Sequence, residues 1–124
     1  MVLVDTSIWI DHLRSGGGEL ERLMRTNRIF THEFIIGELA CGSLKNRTTL
    51  LKYLGNLPRC VRASHEEVLH LIDRYKLSSR GIGYIDVALL ASSMISNIPL
   101  LTKDKKLALI ARELGQMFNV PTKN

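Results

Sequence analysis

An α/β fold built on a mainly parallel sheet is what this sequence predicts. Two observations carry it. Short apolar runs of strand length recur along the chain, and between them lie longer stretches whose apolar residues repeat at helical spacing. Strands separated by helices are too far apart in the chain to form hairpins, so neighbouring strands run parallel.

The first run, Val2–Val4, reads as a buried strand, and helices over about Ser7–Arg14 and Glu19–Arg25 follow it. Ser15-Gly16-Gly17-Gly18 joins them as a plain loop. It lacks the Lys-Ser/Thr ending of a phosphate-binding loop and does not follow a strand. Arg28–Thr31 is a second strand, with Thr31 placed to cap a helix running to about Cys41. A helix near Asn46–Gly55 leads to Pro58 and a third strand at Cys60–Arg62. Ser64-His65-Glu66-Glu67 is a capping-box pattern, and Val68, Leu71, Ile72 and Tyr75 give the helix behind it one apolar stripe. Gly81-Ile82-Gly83 opens a helix to about Ser96, before a fourth strand at Ile98–Leu101. Leu107, Ile110, Ala111 and Leu114 mark a last helix, with a candidate edge strand at Met117–Val120.

A chain of 124 residues makes one domain, spanning 1–124. At 45% hydrophobic and 23% charged, it has the composition of a soluble globular protein. No apolar run approaches the roughly 18 residues that cross a bilayer. A basic n-region is missing and Asp5 interrupts the N-terminal apolar run, so a secretory signal is not expected. Cys41 and Cys60 suggest neither metal spacing nor a disulfide framework, which points to thiols in a reducing cytoplasm. Seventeen Lys and Arg against twelve Asp and Glu leave a net charge of +5, spread through the chain. That balance favours a polyanionic partner such as nucleic acid, or an acidic protein.

Four acids fit their local patterns badly. Asp5 follows the first strand and Asp104 the fourth, ninety-nine residues later. Each could be a helix N-cap and nothing more. Glu38, in "HEFIIGELACG", projects among Phe34, Ile35, Cys41 and Gly42 on the apolar side of its helix. Its alternative is a place at the stripe's margin, with the tip in water. Asp86, in "GIGYIDVALLASS", shares a face with Leu89, Leu90 and Ser93, or simply favours the positive end of its helix.

In a parallel sheet all carboxyl ends lie on one edge, and ligands bind there. If the four acids converge on it, two carboxylates 4 Å apart repel by about 4 kcal/mol at an effective dielectric near 20. Protons or a divalent cation must offset that repulsion. All-oxygen ligands suit Mg²⁺ or Mn²⁺, which favour phosphate oxygens. Such a centre on a basic protein implies phosphodiester chemistry.

The segments "VLVDTSIWIDHLR", "THEFIIGELACG", "RGIGYIDVALLASS" and "LLTKDKKL" resemble, in order and spacing, the four acidic motifs of PIN-domain ribonucleases. The similarity is nearest to the VapC toxins of toxin–antitoxin pairs and covers Val2 to about Leu114. It implies a three-layer α/β/α fold with a central, mainly parallel sheet of four to five strands. It also implies Mg²⁺-dependent endonucleolytic cleavage of RNA, leaving a 5′-phosphate and a 3′-hydroxyl. By resemblance, Asp5, Glu38 and Asp86 are metal ligands and Asp104 a supporting one, while Thr6 and Ser7 orient Asp5 or approach the phosphate. A homodimer is implied too, as is a VapB-type antitoxin that blocks the site in a heterotetramer or larger assembly. Two departures stand out: Lys103 replaces a frequent Arg, and Ala88 a frequent His.

Rival readings are a receiver-like signalling domain and a PIN fold that binds RNA or protein without cleaving. A receiver needs an aspartate at the end of its third strand, where this chain has Val61-Arg62-Ala63.

Overall fold

A computed structural model of the chain describes residues 1–120. Three parallel strands form the sheet: β1 (Val2–Val4), β2 (Ile29–Phe30) and β3 (Leu100–Leu101), in spatial order β2-β1-β3. Val2 pairs with Ile29 and Leu3 with Phe30 on one side of β1; Leu3 pairs with Leu100 and Val4 with Leu101 on the other. Successive strand residues face opposite sides of a sheet, yet Val2, Leu3 and Val4 are all fully buried. Both faces of the sheet are therefore covered, the three-layer arrangement expected of parallel strands.

The covering helices are α1 (Thr6–Ser15), α2 (Gly18–Arg25), α3 (Glu33–Ala40), α4 (Arg47–Gly55), α5 (His65–Arg74), α6 (Tyr84–Ser96) and α7 (Lys105–Glu113). Leu23, Ile35, Leu39, Leu54, Leu89, Leu90 and Leu107 fill the core they share with the sheet. The capping box of α5 forms as its sequence predicts: the Glu67 N–H donates to Ser64 Oγ and the Ser64 N–H to Glu67 Oε1. Among the described residues no helix is long and apolar enough to cross a membrane. Cys60 is buried, Cys41 exposed, and both are free thiols.

Two predicted strands shrink. The one expected at Cys60–Arg62 is a single parallel bridge between Thr31 and Arg59, and that at Met117–Val120 is a bridge between Met117 and Leu100. The first shortening has a clear cause. Pro58 brings no N–H, and beyond Cys60 the backbone turns to α6, where the Val61 N–H donates to Ser96 Oγ and the Ala63 N–H to Ser92 Oγ. Serine hydroxyls of a helix replace the next rungs of the ladder. Thr31 does not cap α3, as its position suggested; His32 does, through Nδ1, which accepts the Phe34 N–H.

This topology selects a place for function. From β1 the chain crosses first to β2 on one side and later to β3 on the other, so strand order reverses at β1. The crevice of an open parallel sheet opens at such a reversal, beyond the carboxyl ends of the strands. Residues following β1 and β3 therefore meet there.

Candidate active site

Asp5 leaves β1 with its backbone still in the sheet, the Asp5 N–H donating to the Leu101 carbonyl at 2.9 Å. It occupies the N-cap position of α1, but its side chain makes no cap hydrogen bond. Instead Oδ2 accepts from Ser7 Oγ at 3.0 Å and from Thr102 Oγ1 at 2.7 Å. Each hydroxyl has one proton and both are committed to Asp5, so the 3.3 Å contact between Ser7 and Thr102 carries none. The two oxygens then accept in turn: Ser7 Oγ from the Lys103 N–H, and Thr102 Oγ1 from the Asp104 N–H. One carboxylate and two hydroxyls thereby stitch the β1–α1 junction to the β3–α7 junction. Asp5 is 5% exposed and forms the floor.

Asp104 lies on the rim, exposed, as the N-cap of α7. Its Oδ1 accepts the Leu107 N–H at 2.9 Å. The capping alternative considered for the two aspartates thus describes Asp104 and not Asp5. Glu38 is also on the rim. It lies exposed at the margin of α3's buried stripe of Ile35 and Leu39, and not inside that stripe as first expected. Its Oε1 accepts from Thr6 Oγ1 at 2.7 Å, which ties α3 to the start of α1. Thr6 and Ser7 therefore serve different acids.

Asp86 is partly buried in the first turn of α6. Burial first, and then the negative charges of Asp5, Asp104 and Glu38, together push its carboxyl up to about 6. All three other acids therefore act on Asp86 across the crevice. No three of these side chains among the described residues stand close enough around one point to hold an ion directly. The donor set still suits a hard cation: it is all oxygen, it carries mutual repulsion to be offset, and Mg²⁺ keeps several waters between itself and a few carboxylates.

Lys103 follows Thr102, and its ammonium pairs with Asp11 on α1. To reach a phosphate in the crevice it would have to leave that partner. Gly81 has φ +76°, so the loop into α6 needs glycine there; Lys106 lies over it, its flexible end 2.6 Å from where an added Cβ would stand. Thr102 had no role in the sequence reading. The signal was there: a hydroxyl at a strand end, two residues before an N-cap, can accept that cap's N–H. An apolar groove between α5 and α6, lined by Leu71, Ala91, Met94 and Ile95, lies away from the carboxylates.

Comparison with known proteins agrees with this geometry. Residues 2–113 match the family described as PIN domain. The chain is a PIN domain. Its relatives include ribonuclease VapC32 of Mycobacterium tuberculosis, from strains CDC 1551 / Oshkosh and H37Rv. Each is 40% identical over 116 residues, covering 93% of this chain and 94% of the relative. That similarity makes it a PIN domain of the VapC type. The crystal structure of PAE2754 from Pyrobaculum aerophilum shares the fold, with a TM-score of 0.61 at 17% identity over 87% of this chain and 77% of the other.

Proposed function

We propose that this PIN domain, acting as a single unit over residues 1–124, is a divalent-metal-dependent endoribonuclease. It is the toxin of a VapBC-type pair in the cytoplasm, a homodimer that a VapB-type antitoxin holds inactive in a heterotetramer or larger complex. Mg²⁺ is the cation, with Mn²⁺ able to replace it. The observation that carries the reading is the carboxyl of Asp86, raised to about 6 by burial and by three acids from three other parts of the chain. Asp5, Glu38 and Asp104 also tie neighbouring elements together, but the repulsion they impose on the part-buried Asp86 is what a bound cation would offset.

Asp5, Glu38 and Asp86 would hold the cation, with Asp104 supporting. A divalent cation there supplies charge neutralisation at the phosphate and an acidified water for in-line attack. Ser7 and Thr102 keep the Asp5 carboxylate aimed, and Thr6 does the same for Glu38. To hold a cation Asp86 would have to lose its proton, so affinity should fall below about pH 6. Hydrolysis forms a bond from water oxygen to phosphorus and breaks the bond from phosphorus to O3′. The 3′ oxygen takes a proton and the downstream fragment keeps a 5′-phosphate. VapC32 is a ribonuclease by name, and its 40% identity supports the same substrate class here.

The test incubates antitoxin-free protein with end-labelled total RNA, with Mg²⁺ or Mn²⁺, with EDTA, and beside Asp86→Asn. Metal-dependent fragments that the variant does not produce are the expected result. RNA bound but uncleaved, with metal present, would favour the binding-module reading instead.

A further inference from the structure

His32 is 1% exposed and is used by none of the chemistry above. Its hydrogen bonds admit one arrangement of protons. Nδ1 accepts the Phe34 N–H at 3.0 Å, so that nitrogen is unprotonated, and Nε2 lies 3.0 Å from Ser92 Oγ on α6. Ser92 Oγ donates to the Ala88 carbonyl at 2.7 Å and accepts the Ala63 N–H at 3.0 Å. Its own proton is spent, so His32 must donate through Nε2–H. The ring is thus a neutral, single-tautomer strut between the start of α3 and the middle of α6. Among the described residues no other side-chain hydrogen bond joins these two helices.

Spacing gives the strut its meaning. Glu38 lies six residues after His32 on α3, and Asp86 lies six residues before Ser92 on α6. From the tie, the two carboxylates are reached in opposite senses along the two helices, each about 9 Å of helix axis away. The tie joins the two helices at one place, and further along them the charge of Glu38 reaches Asp86.

We infer that His32 is a positioning residue: through Ser92 it sets the separation of Glu38 and Asp86, and hence the capacity of the site for a divalent cation. The inference deepens the metal-site reading and rests on it for its consequence, though not for its geometry. Burial also holds the His32 pKa below its usual value, Glu33 opposing and Arg62 assisting, which keeps the ring neutral. Of the residues of α6, Asp86 alone is charged. Partners that orient metal ligands from behind affect affinity by roughly 10–100-fold when removed.

The experiment has two arms on the full chain. Long-range ¹H–¹⁵N spectra at neutral pH should show His32 Nδ1 unprotonated and Nε2 protonated; the opposite tautomer would overturn the strut. Mn²⁺ binding is then followed by electron paramagnetic resonance in wild type, His32→Ala and His32→Gln, at matched folded fraction. The Ala variant should bind Mn²⁺ about 10–100-fold more weakly. Gln places its Nε2–H where the imidazole Nε2–H stood, within reach of Ser92, and should bind Mn²⁺ more tightly than the Ala variant. Ser92→Ala breaks the same tie and stands in where His32→Ala does not fold. Wild-type affinity in a folded Ala variant, or a Gln variant that binds no more tightly than Ala, overturns the inference. Should the wild type itself bind no Mn²⁺, the metal reading fails, and the amide shifts of Glu38 and Asp86 decide. Joint displacement in His32→Ala with recovery in His32→Gln supports positioning; unmoved shifts overturn it.

Discussion

Asp5 and Asp104 begin as equals. Each follows a parallel strand, each occupies an N-cap position, and their backbones are alike, at φ −71°, ψ 158° and φ −67°, ψ 119°. Asp104 caps its helix; Asp5 does not. The difference lies two residues on. Ser7 offers Asp5 a hydroxyl proton, whereas the corresponding residue after Asp104 is Lys106, whose chain lies over Gly81. Thr102 then adds a second donor from the neighbouring strand end. The lesson is that an N-cap aspartate becomes a site residue when other donors hold its carboxylate away from its own helix.

That contrast can be sharpened first by activity. Asp5→Asn removes a charge at the floor of the crevice, and single-turnover RNA cleavage should fall by about a thousandfold or more, some 4 kcal/mol of barrier. Asp104→Asn keeps a capping oxygen and should lower the rate only about tenfold. Equal losses would erase the distinction between floor and rim.

A smaller effect concerns Asp86, whose raised carboxyl burdens the metal-free fold. Below pH 3.8 the group is protonated in both states and costs nothing. Between there and about 6 the unfolded chain releases the proton that the native state keeps, so stability falls as pH rises. Asp86→Asn should therefore stabilise the metal-free protein at pH 7 by roughly 1–2 kcal/mol, allowing for solvent screening of a partly buried group. The gain should shrink as pH falls and disappear at about pH 3, as denaturant midpoints at the two pH values would show. A gain equal at both pH values would mean that charge is not its source.

The smallest is the cap itself. Asp104→Ala should cost about 1 kcal/mol in urea unfolding, with Asp104→Asn within a few tenths of wild type. An Ala variant as stable as wild type would place Asp104 in the class of Asp5.

The helices were legible because their signals are local. The capping box at Ser64 and the apolar stripe behind it need no distant partner to be recognised. The strands at Cys60–Arg62 and Met117–Val120 were over-read, since strand length depends on what else competes for the backbone. In the first case Ser92 and Ser96 of α6 competed successfully for the Ala63 and Val61 N–H groups. His32 and Thr102 escaped for the same reason. Their partners lie sixty and ninety-seven residues away in the chain.

By itself, then, the sequence determined the α/β class, the four acids and their order, because residue type and spacing carry those signals along the chain. Tertiary structure decided their roles: Asp5 buried, Asp86 strained by burial and by its neighbours' charge, Glu38 and Asp104 on the rim. Burial and electrostatic repulsion depend on distance in space, and the strand reversal at β1 is what converts ninety-nine residues of separation into a shared crevice.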